Sequence, residues 1–546
     1  MRRVALVWLA LSLAVPAAAG AEPTGRLLVS LHAQEGPARA AATARAVAAR
    51  AGARRAGPGV PRLRIATLAP GPGETVRSLA LRLRRDPAVR AVDVEHRHRP
   101  RALPDDPALW TPDPAPAAKG ESLQWWAVRS RFPQAWERAD GDSVTVAVVD
   151  QGVDATHPDL APKLRALNDL DRDAAHAGAG VDESGHGTHV ASLACAQPGN
   201  GFGIAGAGLR CGLIVEKSDL SDESVVRAVV DATDRGAGVI VLALGTDDRA
   251  HPPQAMVDAI DYAYARGVVL IAAASNRPTT EQGDPANILQ PTGTGPRLRA
   301  GKGLTVTAAA FGGGKARFAG DGSQISIAAY GAFERPGANG ILGAFPPAAA
   351  RPLVEVGGPG MRPCDCRSEL AGDARFAFLE GTSMATPIVA GAAALVRDLN
   401  PDLGPGDVLR ILKRSAQREP GAGWTDALGW GIVDAEAAVR LAARVDRRPP
   451  ESTLRAPATA TGGTLLLRVE AADPAPPGVR ASGVREVRVY AARDGGRPRL
   501  VATTTRRAVR VRVAPGHRYA FHSRAVDRAG NVETAPAAPD AAVRAP

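Results

Sequence analysis

The chain has 546 residues, too many for one small domain and enough for two or three. Its formal net charge of +11 would suit a polyanion-binding protein, but that charge is divided along the chain. Residues 22–105 carry 16 Arg against 7 acidic residues, residues 106–446 carry 31 basic against 41 acidic residues, and residues 447–546 carry 18 Arg against 8 acidic residues. This division excludes nucleic acid as the partner that net charge alone would suggest, and it favours docking of the basic segments on the acidic one or on an anionic cell wall.

The N-terminal stretch "MRRVALVWLALSLAVPAAAGAEP" has a basic start, an apolar run from Val4 to Val15 and small residues at Ala19-Gly20-Ala21. It reads as a secretory signal peptide over residues 1–21, cleaved near Ala19 to Ala21, so the protein is expected to be secreted. No later run is long enough to cross a bilayer as a helix, and no transmembrane segment is expected. Export permits disulfides. Cys195, Cys211, Cys364 and Cys366 allow three pairings, of which Cys195 with Cys211 and Cys364 with Cys366 is the local one.

Residues 22–105 read as a small α+β unit. "GRLLVSLHA" is a strand, "ARAAATARAVAARAGARR" a helix, and "RLRIATL" a second strand. "ETVRSLALRLRRD" is a helix offering Leu79, Leu81 and Leu83 to a core, and "VRAVDVEH" closes the unit as a strand. Residues 106–121 are polar and rich in Pro, the composition of an exposed linker. Residues 122–445 alternate buried-strand runs ("SVTVAVVD", "CGLIVEKSD", "GVIVLALG", "GVVLIAAAS", "GLTVTAAA") with helical stretches such as "SVVRAVVDATDRGA". That pattern predicts an α/β, three-layer domain with a mainly parallel sheet, whose chemistry gathers at the carboxyl ends of the strands. Residues 449–546 have no convincing helix and read as an all-β sandwich of immunoglobulin or fibronectin type.

Three segments of the central region carry chemistry. Asp150 falls where the apolar run of "VTVAVVDQGVDATHPDL" stops. His186 lies between two glycines in "DESGHGTHVASLA", with His189 one turn on; H-x-x-H pairs bind metals, but nothing nearby completes a ligand set. Ser383 lies in "FLEGTSMATPIVAGAAALV", where it reads equally well as a helix N-cap, with Pro387 in the first turn, or as a nucleophile. Asp, His and Ser together are what acyl transfer needs: a hydroxyl nucleophile, an imidazole to move its proton, and a carboxylate to orient the imidazole. A serine at a helix N-terminus would also place backbone N–H groups beside the developing oxyanion.

These residues resemble the three active-site motifs of the subtilisin-like serine peptidases, "VAVVDQGVDATHPDL", "GHGTHVA" and "GTSMATP", in that family's order. The resemblance extends through "NGFGIAGAG", "GVIVLALG" and "GWGIVDAEAAV" and covers roughly residues 122–445. It implies a serine endopeptidase with Ser383 as nucleophile, His186 as general base and Asp150 as its orienter, needing no cofactor for chemistry. It also implies an oxyanion-hole donor at Asn276 of "AAASNRP", although Ser275 stands where the family usually has Gly. Substrate main chain is expected along Ala243, Leu244 and Gly245, and specificity for protein or peptide substrates is expected to be broad. Asp159 and Asn200 match two ligands of the family's common calcium site. Residues 22–105 resemble the family's inhibitory, self-removed propeptide, which makes that segment a partner of its own enzyme. The competing expectation is an inactive secreted binding protein on the same fold.

Overall fold

The structure is a computed structural model that describes residues 22–32, 36–97, 104–170, 178–182, 184–246, 251–334, 340–347, 366–457, 460 and 463–546. The signal-peptide segment 1–21 and Cys364 lie outside the described residues. The chain divides into two compact units, residues 1–102 and 103–546.

In the first unit, strands β1 (Glu22–Leu31), β2 (Arg54–Arg55), β3 (Ile65–Ala69) and β4 (Val89–Arg97) form an antiparallel sheet in the order β2-β3-β1-β4. Helices Gly36–Arg50 and Val76–Leu83 complete a βαββαβ chain order. Thr75 caps the second helix by accepting from Ser78 N at 3.2 Å. Leu79 and Leu83 enter the core with Leu27, Val29, Val47 and Leu68. Leu81 does not: it is 53% exposed, because two residues on from Leu79 is the far side of a 3.6-residue turn. Arg54 and Arg55, expected in the first helix, instead pair with Leu68 and Ala69.

In the second unit, strands β5 (Thr145–Asp150), β6 (Leu164–Asp169), β7 (Gly212–Lys217), β8 (Val239–Leu242), β9 (Val269–Ala273), β10 (Gly303–Ala310) and β11 (Ile327–Ala332) make one parallel sheet. Its order is β11-β10-β9-β8-β5-β7-β6. Alternate side chains feed opposite cores, as a pleated strand requires. Val146 and Val148 pack on the side of the helices His186–Cys195 and Thr382–Leu399. Ala147 and Val149 pack on the side of the helices Asp222–Asp234 and Gln254–Ala265. The three-layer expectation is met, and β6 and β11 add strands that the apolar runs did not announce.

Residues 106–121, expected to be an exposed linker, are built into this body. Asp106, Ala108, Leu109, Ala115 and Ala118 are all buried. The small residues of "PALW" and "PAA" form two short helical turns that start on Pro107 and Pro116. Between β11 and the serine helix, β12 (Ile341–Ala344), β13 (Arg367–Leu370) and β14 (Asp373–Leu379) form a separate antiparallel sheet in the order β12-β14-β13. A disulfide joins Cys195, the last residue of the histidine helix, to Cys211, just before β7, with Cα atoms 5.5 Å apart.

Beyond residue 446, strands β15 (Glu451–Arg455), β16 (Thr464–Ala472), β17 (Val484–Arg493), β18 (Arg499–Thr504), β19 (Ala508–Arg512), β20 (Arg518–Asp527) and β21 (Ala541–Arg544) form two antiparallel sheets. Their orders are β15-β16-β19 and β18-β17-β20-β21. Arg447 and Arg448 pair with Asp407 and Asp402 at 2.6 and 3.0 Å and tie this module to the α/β body.

Ile271, fully buried in β9, anchors the strand that leads to Asn276. Ile271→Ala is expected to lower unfolding free energy by about 2–5 kcal/mol in denaturant titration. Leu81→Ala should stay within about 0.5 kcal/mol of the parent.

Candidate active site

Asp150 ends β5, and its main-chain oxygen accepts from Ser218 N at 2.8 Å. His186 opens its helix with Nδ1 2.8 Å from Asp150 Oδ2 and 3.0 Å from Oδ1. The flanking glycines are what bring the two together. A Cβ on Gly187 would run into the Gly152 carbonyl and lie 3.1 Å from Asp150 Cβ. Gly185 has φ +81, and a Cβ there would strike the Phe345 ring.

Asp182 holds the same helix end. Its Oδ1 accepts from Gly185 N at 2.7 Å and Ser184 N at 3.0 Å, and its Oδ2 accepts from Thr188 N at 2.7 Å and Thr188 Oγ1 at 2.6 Å. Asp182 is 1% exposed, and burial pushes its carboxyl up despite these bonds. Burial pulls the His186 imidazole down, but the charge and hydrogen bond of Asp150, with the charge of Asp182, outweigh burial and leave the imidazole raised.

Ser383 is not a cap. The helix starts at Thr382 with Gly381 in the capping position, so Ser383 is the second helical residue and Pro387 falls in the second turn. The Ser383 hydroxyl donates instead to the Ala243 carbonyl at 3.1 Å, across from the end of β8. Asn276 follows β9, and its Oδ1 accepts from Thr382 N at 2.9 Å and Thr382 Oγ1 at 3.0 Å. That fixes the amide: with its oxygen on Thr382, the Nδ2 end faces the corner between Gly381 and Ser383, where a Cβ on Gly381 would lie 3.6 Å from Ser383 N and 3.7 Å from Asn276 Nδ2. Ala243, Leu244 and Gly245 leave β8 beside Ser383, and Thr246 N, just beyond them, donates to Asp284 O at 2.9 Å. Asp150, His186, Ser383, Asn276 and Ala243–Gly245 thus lie at the carboxyl ends of the adjacent strands β5, β8 and β9 or face them.

His189 points away. It is fully buried, with Nε2 3.0 Å from Ile341 O and 3.2 Å from Ala377 O, and burial lowers it to about 3. It clamps β12 and β14 to the histidine helix. The Asp159–Asn200 pair is separate from the serine. Asn200 Nδ2 donates to Asp159 Oδ1 at 3.0 Å and Ile204 N to Oδ2 at 3.1 Å, and burial raises Asp159 to about 7. Asp106 joins this group. Its Oδ2 accepts from Gly199 N at 2.8 Å, its Oδ1 is buried without a hydrogen-bond partner, and burial raises it to about 6. Sequence reasoning missed Asp106 and Asp182. The first lay in apparent linker, although Asp before Pro is a helix-start signal; the second sat inside a quoted motif, with no pattern marking its contacts.

A family model described as the subtilase family matches residues 141–431, more than half of the chain. Thermitase of Thermoactinomyces vulgaris is 30% identical over 281 residues, covering 50% of this chain and 82% of that protein. The thermophilic serine proteinase of Bacillus sp. strain AK1 is 29% identical over 298 residues, covering 53% of this chain and 60% of that protein, less than two thirds of its length. The crystal structure of fervidolysin from Fervidobacterium pennivorans, described as a keratinolytic enzyme related to subtilisin, aligns with 97% of this chain and 78% of its own at 21% identity and a TM-score of 0.48. The chain belongs to the subtilase family.

Because the charged groups around His186 raise it, its titration should lie above that of an ordinary imidazole, near 6.5. In Asp182→Asn the midpoint of the His186 ring-proton shifts in NMR should move to lower pH, and in Asp150→Asn it should move further in the same direction.

Proposed function

We propose that the chain is a secreted serine endopeptidase, made as a self-processing zymogen. The observation that supports this reading is that the hydrogen-bonded Asp150–His186 pair, the carbonyl that the Ser383 hydroxyl faces and the loop of Asn276 all stand at the carboxyl ends of the adjacent strands β5, β8 and β9. A substrate strand lies along Ala243–Gly245. The Ser383 hydroxyl leaves the Ala243 carbonyl for His186 Nε2 and attacks the scissile carbonyl carbon as its proton passes to the imidazole. Asp150 keeps the Nδ1 proton and balances the imidazolium. The oxyanion accepts from Asn276 Nδ2 and the Ser383 backbone N–H. His186 then protonates the departing amine, leaving an acyl-Ser383 that water hydrolyses by the same relay. No cofactor enters these steps.

The βαββαβ unit before residue 103 supports the propeptide reading, with a ferredoxin-like arrangement. Among the described residues no helix is long and apolar enough to cross a membrane. The C-terminal sheets are read as an immunoglobulin- or fibronectin-like module whose exposed Arg468, Arg510 and Arg512 suit an anionic cell-wall polymer.

The residues also fit a calcium ion. Asp106, Asp159 and Asn200 would hold it, and the unpartnered, buried Asp106 Oδ1 is the oxygen that a hard cation satisfies. Such an ion supplies charge balance and stability only.

In an intact-mass comparison, secreted wild type should lose residues 22 to about 105 and take up one fluorophosphonate, while Ser383→Ala should stay long and unlabelled. If neither protein is processed or labelled, even after limited proteolysis, the inactive binding-protein reading takes over. Calcium at about 100 times its Kd should raise wild-type stability by about 2.7 kcal/mol in chelator-controlled melts. Asp106→Asn should lose most of that gain.

A further inference from the structure

Resting on that reading, we propose that Gln282 is a positioning residue that sets the oxyanion donor Asn276 through the main chain of Ser275. Asn276 is held at one end only, by Thr382. Its main chain depends on the residue before it, and Ser275 is fixed at three atoms. Ser275 N donates to Gln282 Oε1 at 2.9 Å, Ser275 O accepts from Gly320 N at 2.8 Å, and Ser275 Oγ accepts from Arg277 N at 2.9 Å. The last bond closes a tight turn around Asn276 that a glycine could not make.

Gln282 is only 3% exposed and spends every polar atom of its side chain on main chain. While Oε1 takes Ser275 N, Nε2 donates to Asp321 O at 2.8 Å and Thr279 O at 3.2 Å. Its own backbone N donates to Gln324 Oε1 at 2.7 Å, and Gln324 is equally buried. A Cβ on Gly320 would be 2.5 Å from Gln282 Oε1, so glycine there is what lets the second loop approach. One amide therefore pins three segments, 275, 279 and 321, and the shared node is the residue before Asn276. A buried primary amide satisfied in this way has one orientation, because flipping it would set a carbonyl against two carbonyls and an N–H against an N–H. The brace thus fixes the level at which the chain leaves β9, and through it the reach of Asn276 Nδ2. Gln282 touches no reacting atom.

The test is a double-mutant cycle on the full chain after maturation, with active sites counted by fluorophosphonate and turnover read on a peptide p-nitroanilide that wild type cleaves. Gln282→Met keeps volume and loses the three side-chain bonds. It should lower kcat by about 10- to 100-fold with little change in KM. It should also weaken a peptide boronate, which mimics the tetrahedral adduct, by a similar factor, without weakening the matching product peptide. In an Asn276→Ala background the same substitution should leave kcat unchanged. An equal fall in both backgrounds, or a lowered melting point with kcat per labelled site intact, overturns the proposal. If Gln282→Met does not fold, Gln324→Met, which removes only the bond to Gln282 N, should show the same dependence on Asn276 in milder form, and multiplicative effects there overturn it too. Failure of the peptidase reading itself is distinct: no fluorophosphonate uptake by wild type.

Discussion

The site depends on the register of three parallel strands. Val149 in β5 pairs with Leu242 in β8, and Leu242 pairs with Ala272 in β9. The next residue of each strand, Asp150, Ala243 and Ala273, therefore stands in one row across the sheet, with strands about 4.8 Å apart. The carboxylate, the main chain that receives the serine hydroxyl, and the start of the asparagine loop are thereby set before any side-chain contact forms. A slip of one residue in β8 would turn Ala243 to the other face and take the partner of Ser383 with it.

Against that row the two helices close by removing atoms. His186 reaches Asp150 because Gly187 has no side chain to meet Gly152, and Gly185 takes a left-handed conformation against Phe345. At the serine helix, Pro387 has no N–H to give to the Ser383 carbonyl four residues back. The regular ladder is interrupted beneath the residue whose hydroxyl would change partners in the proposed reaction. Asp182 supplies what the histidine helix would otherwise lack, acceptors for its first N–H groups, and adds negative charge behind the imidazole.

What was legible in the sequence is what is written locally. Asp150, His186 and Ser383 each sit in a short motif whose glycines and apolar runs have a steric reason, and five of the buried strands, β5, β7, β8, β9 and β10, are continuous apolar runs. What was not legible depends on closure of the chain on itself. That Ser383 is not the helix cap turned on two residues of helix phase, set by Gly381, and its hydroxyl meets the distant Ala243 carbonyl instead. Residues 106–121 have the composition of a linker, yet their small side chains fill the body's core. Edge strand β6 alternates between partly buried and exposed side chains, so it lacks the continuous apolar signal of its neighbours. Gln282 is an ordinary polar residue until three loops meet around it.

The Cys195–Cys211 bond encloses Asn200 and the Ile204 amide that meets Asp159 in one covalent ring. Closing a ring of this size contributes about 3 kcal/mol by chain-entropy reckoning. The sheet's hydrophobic pairing does not need that bond, but the ring's surface loop does. Chain folded among reduced thiols would keep its body and leave this loop free to open. If the chain is the exported endopeptidase proposed above, an opened loop would be the first stretch that a neighbouring copy could cut. On that reading the bridge protects each molecule from its own kind and ties survival to having left the reducing interior of the cell.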